Sequence, residues 1–110
     1  MIKNIAALLL CVTAAAAQTP TTVRLALSPR SSVPRAEIVK AIEERCDGAT
    51  LVNDAASADY ILEATDSGSN AAHHYKLALS DHKRQIFQVD GASQVPSAMT
   101  NICGFLHVRK

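Results

Sequence analysis

The stretch Ala58-Asp59-Tyr60-Ile61-Leu62-Glu63-Ala64-Thr65 decides the fold. Tyr60, Leu62 and Ala64 alternate with Ile61, Glu63 and Thr65, the period of a strand that buries one face. The alternation recurs downstream, with Tyr75, Leu77 and Leu79 set against Lys76, Ala78 and Ser80. Gln85 to Val89 then returns with Phe87 and Val89 inward, after a hairpin loop at Asp81-His82-Lys83. Asp90-Gly91 reads as the turn that ends this return strand. Upstream, Val23, Leu25 and Leu27 alternate with Arg24, Ala26 and Ser28, and Ala49 to Val52 makes a short strand. Asn53 to Ser57 reads as a helical turn. Asp66 to Ala72 is polar, contains Gly68, and is expected to be a mobile loop.

Two segments carry the helical period instead. Ser32 is placed to cap the first helix, Pro34 suits its first turn, and Glu37 complements the positive dipole end. Ile38, Val39, Ile42 and Cys46 fall on one stripe, while Lys40, Glu43, Glu44 and Arg45 face water. Gly48 follows as the C-terminal cap. Ser93 and Pro96 repeat the start signal, and Val95, Met99, Ile102, Cys103 and Leu106 form a second stripe. Gly104 interrupts it at about 1 kcal/mol against Ala and reads as a point of close packing. Met99 and Phe105 read as core or rim. Two helices with one apolar stripe each should cover one face of a mixed sheet. The expected fold is therefore an α+β two-layer sandwich of about five strands in the order β-α-β-β-β-β-α.

Residues 1–17 read as a leader that is removed. Lys3 gives a positive start, Ile5 to Val12 are apolar, and Ala15 and Ala17 offer the small side chains that a signal peptidase accepts before Gln18. A spanning helix needs about 20 apolar residues, and Gln18-Thr19-Pro20 arrives too soon. A lipoprotein would use Cys11, but Leu10 before it is bulky. This leaves a short tail at 18–22 and one domain at 23–108, a monomer expected to be periplasmic or secreted.

In that oxidising setting, the two cysteines that remain after the leader, Cys46 and Cys103, are expected to form a structural disulfide. The chain-entropy model assigns a loop of that length on the order of 4 kcal/mol. A redox pair would stand two residues apart; these do not.

The chain has 110 residues, 48% of them hydrophobic, with 11 Lys and Arg against 10 Asp and Glu. Once Lys3 leaves, acids and bases balance, which argues against nucleic acid as a partner. The four histidines, His73, His74, His82 and His107, lack metal-ligand spacing, and adjacent strand residues point to opposite faces. There is no Gly-x-Ser-x-Gly elbow and no phosphate-cradling glycine loop. Glu43 and Glu44 diverge by about 100° on a helix. No catalytic residue, cofactor or metal site is expected.

The run Asn53-Asp54-Ala55-Ala56-Ser57-Ala58-Asp59-Tyr60-Ile61-Leu62, a polar turn leading into Ala-Asp-Tyr and an alternating strand, resembles small envelope domains of Gram-negative bacteria. Among these are the amino-terminal domain of the Tol-Pal propeller protein, and lipoproteins related to the curli secretion channel or to penicillin-binding-protein activators. The chain is also similar to short exported proteins with one Cys after the first helix and one in the last. The resemblance implies an α+β domain that binds envelope proteins.

The expected function is thus an exported, non-enzymatic binding or scaffold domain of the cell envelope. The alternative is a secreted inhibitor of an extracytoplasmic hydrolase, working through the loop at Asp66–Ala72. With the helices on the face of Leu25, Tyr60, Leu62, Leu77 and Phe87, the opposite face shows Arg24, Ile61, Glu63, Lys76, Ile86 and Gln88. Two isoleucines on an otherwise polar face make it a candidate partner or self-association surface, the alternative being a plain solvated face.

Overall fold

A computed structural model describes residues 22–110. The leader, the Ala17–Gln18 cleavage point and tail residues 18–21 lie outside the described residues. The elements follow the expected order: β1 (Val23–Leu27), α1 (Arg35–Arg45), β2 (Ala49–Val52), β3 (Tyr60–Asp66), β4 (Tyr75–Ser80), β5 (Gln85–Ala92) and α2 (Val95–Phe105). A single 3-10 turn at Ala55–Ser57 stands between β2 and β3.

The strands make one mixed sheet, β2-β1-β3-β4-β5. β1 is parallel to both neighbours, and β3, β4 and β5 form an antiparallel meander. Leu25, Leu62, Ala64, Leu77 and Leu79 of the sheet meet Ile38, Ala41 and Ile42 of α1 and Val95, Ala98, Met99, Ile102 and Cys103 of α2 in one core. Each fully buried aliphatic side chain there contributes about 1.5–3 kcal/mol. On α1 the third stripe position belongs to Ala41, 1% exposed, and Val39 is only half-buried at its flank. Phe105 is the rim residue, stacked on Phe87 with ring centroids 4.5 Å apart.

The helix starts differ from expectation. Pro34 holds the cap position of α1 and Gln94 that of α2, neither with a side-chain cap bond. Ser32 serves a strand instead. Its Oγ accepts the Asp66 N–H, and Ser31 Oγ accepts the Ala64 N–H, both at 3.0 Å. The reason lies in the register. β1 pairs with β3 only along Tyr60–Leu62, so on the edge away from β4 the N–H groups of Ala64 and Asp66 lie past the end of β1 and need other acceptors.

Gly48 does not cap α1 either. The helix ends at Cys46 in extended backbone. Gly48, at φ +89°, makes the turn into β2, and its carbonyl takes the Val23 N–H at 2.8 Å. Gly104 is not a close-packing point, since a methyl group there would meet nothing nearer than Arg109 Cδ at 4.0 Å. Asp90-Gly91 does not end β5. The strand continues to Ala92, with a bulge at Gly91 and a second one between Gln85 and Phe87.

Cys46 and Cys103 stand at disulfide distance, Cα atoms 5.7 Å apart, and tie the end of α1 to the later turns of α2. His107, at φ +62°, reverses the chain after α2, with the Val108 N–H on the Cys103 carbonyl at 2.8 Å. The tail then runs beside the end of α1. The Asp47 N–H donates to the Val108 carbonyl at 2.6 Å, and the Lys110 N–H to the Arg45 carbonyl at 3.1 Å.

Candidate functional site

The loop after β3 is organised by one carboxylate. Asp66 Oδ1 accepts the N–H groups of Gly68 and His74, each at 3.0 Å, and Oδ2 accepts His73 Nδ1 at 2.6 Å. These bonds, led by the His74 N–H, hold the Asp66 carboxyl at about 2, against an ordinary value of 3.8. The segment expected to be mobile is therefore tied back on itself at its first residue. A side chain at Gly68 would collide with the Ala72 carbonyl.

His73 stacks on Tyr75, ring centroids 5.1 Å apart. Residues two apart on an extended chain share a face, so this stack lies on the helix side of the sheet. Tyr75 is only 9% exposed. It forms the inner wall of a cleft of about 470 Å³ between the first turns of α2 and the exposed side of α1, where Glu37, Lys40 and Glu44 face Ser93 and Gln94. A smaller recess of about 170 Å³ continues past Glu37, His73 and Tyr75 to Ser32 and Asp66.

Among the described residues the Tyr75 hydroxyl has no hydrogen-bond partner, yet no buried side-chain polar atom among them is left unsatisfied. The hydroxyl therefore reaches solvent, through the cleft its ring lines. Burial first, then the Glu37 and Asp66 carboxylates, push its pKa above 10. It stays a neutral group that can both donate and accept.

Chemically, the ionised Asp66 accepts from His73 Nδ1, and Nε2 has no hydrogen-bond partner among the described residues, which is the orienter-and-base half of a hydrolytic triad. Ser93 lines the same cleft, and among the described residues no hydrogen bond joins its hydroxyl to His73. His74 Nε2 lies 3.2 Å from Asp90 Oδ1, and His82 Nε2 lies 2.6 Å from the Ala58 carbonyl oxygen. No cluster of three or more metal-ligating side chains occurs among the described residues.

The candidate partner surface is brought together in part. Register puts Arg24, Ile61, Glu63, Lys76 and Gln88 on the sheet face away from the helices. Ile86 is not with them. It is the extra residue of the second bulge, which breaks the alternation, and it packs against the core. The others are largely engaged by neighbours. Arg24 Nη2 lies 3.6 Å from Asp59, Ser28 Oγ donates to Glu63 at 3.4 Å, and Gln85 Nε2 donates to Gln88 at 3.0 Å. Lys76 stands opposite Asp90, and Ile61 is half-buried.

The cleft was not legible from sequence, because its walls come from three separated segments. The available signal was Tyr75, a strand residue with a polar tip preceded by two histidines. No family model, curated protein or solved structure matches the chain. Among the described residues no helix is long and apolar enough to cross a membrane.

Proposed function

We propose that this is an exported, non-enzymatic binding domain of the cell envelope, and that its contact site is the cleft over Tyr75. One observation carries the reading: a nine-tenths buried tyrosine presents an unpartnered hydroxyl to a cleft between two helices. Recesses of a few hundred cubic ångströms with a few convergent polar groups are where ligands commonly bind. The sheet face, its charges occupied by neighbours and its second isoleucine turned to the core, supports contact less well.

Recovery of a partner from envelope extract tests this. Ser93→Trp fills the cleft from its exposed rim and should abolish recovery while the melting temperature holds. Unchanged recovery with Ser93→Trp, but loss with Ile61→Lys, would move the contact to the sheet face.

A second reading, inhibition of an extracytoplasmic hydrolase, draws on the Asp66 knot. A loop already fixed by three hydrogen bonds loses little freedom on entering an active site. Inhibition of a purified hydrolase that disappears in Asp66→Ala would favour it.

A further inference from the structure

We infer that the cleft over Tyr75 takes a cationic amine or guanidinium group, which docks on the Tyr75 hydroxyl between the carboxylates of Glu37 and Asp66. The inference rests on the cleft being the binding site and names the chemistry of its occupant.

Three observations converge on it. The Tyr75 hydroxyl is unpartnered among the described residues, although the residue is nine-tenths buried and lines both recesses. An N–H donor from a ligand would pair with this hydroxyl in place of solvent. The two recesses join at Glu37, His73 and Tyr75, and Asp66 lines the smaller one, so two carboxylates flank the junction. Burial raises the Tyr75 pKa most, and the charges of both carboxylates add in the same direction. Asp66 keeps its charge even in mild acid, because backbone N–H groups hold it ionised. Glu44 adds a further negative group to the wall of the larger cleft.

An anionic ligand would meet these carboxylates at close range, which costs free energy. A cation would be attracted and could donate to oxygen at each. Lys40 is the opposing charge in the lining. Its long stem lets the ammonium swing to water, but it remains a like charge for a cationic occupant. That conflict supplies a test.

The experiment is NMR titration of the oxidised exported chain with 1,5-diaminopentane. The five-carbon dianion glutarate and neutral 1,5-pentanediol serve as matched probes. The diamine should give saturable shifts at His73, Tyr75 and Ser93, and the other two should not. Glu37→Gln should weaken diamine binding about fivefold, the size of a surface ion pair. Lys40→Met should tighten it. Equal shifts with pentanediol or glutarate would overturn the cationic class while leaving the cleft a binding site. A silent diamine titration overturns the inference as well. The cleft reading itself falls only if Ser93→Trp leaves partner recovery intact.

Discussion

Asp59 grips the backbone of Arg24 from both sides. Its N–H donates to the Arg24 carbonyl at 2.8 Å, and its carboxylate accepts the Arg24 N–H, also at 2.8 Å. The guanidinium closes on the same carboxylate at 3.6 Å. Together these contacts fix where β3 begins alongside β1, one residue before Tyr60 pairs with Leu25. A parallel pair has no tight turn to set its register, and Asp59 supplies that stop.

Asp59→Ala should therefore lower the melting temperature more than Asp54→Ala, whose carboxylate among the described residues serves only the 3-10 turn at Ala56. Asp59→Asn, which keeps an acceptor oxygen, should fall between wild type and Asp59→Ala. Equal melting for all three variants would remove the register role.

The Asp66 knot predicts acid sensitivity. Its folded pKa is about 2 and its ordinary value 3.8. A depressed carboxyl stabilises the fold fully above its unfolded value and loses that contribution as pH falls toward the folded one. Stability should drop from about pH 4 to about pH 2, with Asp59, also depressed chiefly by the Arg24 backbone bond, adding in the same sense. Asp66→Asn should flatten part of this limb in denaturation midpoints measured against pH. An unchanged limb would show that the knot is absent in solution.

Cys46→Ala should cost about 2–5 kcal/mol, the usual range for a small secreted domain. Alkylation of the purified protein should find Cys46 and Cys103 unreactive before reduction and reactive after it. Two reactive thiols without reductant would rule out the bond.

Ser31→Ala should cost about 1–3 kcal/mol, because it strands the N–H of Ala64, a fully buried residue. Ser32→Ala should cost less, since the Asp66 N–H that it strands is exposed. Helix content by circular dichroism should not change in either, because neither hydroxyl caps α1.

How far the sequence could be read follows from how local each signal was. The alternation of Tyr60, Leu62 and Ala64, the hairpin loop at Asp81 and the stripe Met99–Ile102–Cys103 all depend on near neighbours, and each element stands where its period placed it. Ser32 failed as a cap because its real partner, Asp66, is brought to it only by the sheet. Gly91 looked like a turn, yet positive φ serves a bulge as readily as a turn. The second bulge, which turns Ile86 inward, leaves no mark in the composition. The cleft required α1, β4 and the start of α2 to be placed together before Tyr75 could be seen as its wall.

The strand order carries a consequence for how the sheet comes apart. In the sheet β2 pairs with β1 alone, whereas β3, β4 and β5 pair among themselves. If β1 lets go, β2 is orphaned with it, and the meander under α2 keeps its ladder. Local opening should thus proceed in two blocks, one built on β1 and β2, the other on β3, β4, β5 and α2. The bond from Cys46 to Cys103 spans the boundary between them. Amide exchange in reduced protein should release Val23–Leu27 and Ala49–Val52 together, well ahead of Leu77 and Leu79. Oxidation should slow that first release by keeping the end of α1 moored to the surviving block.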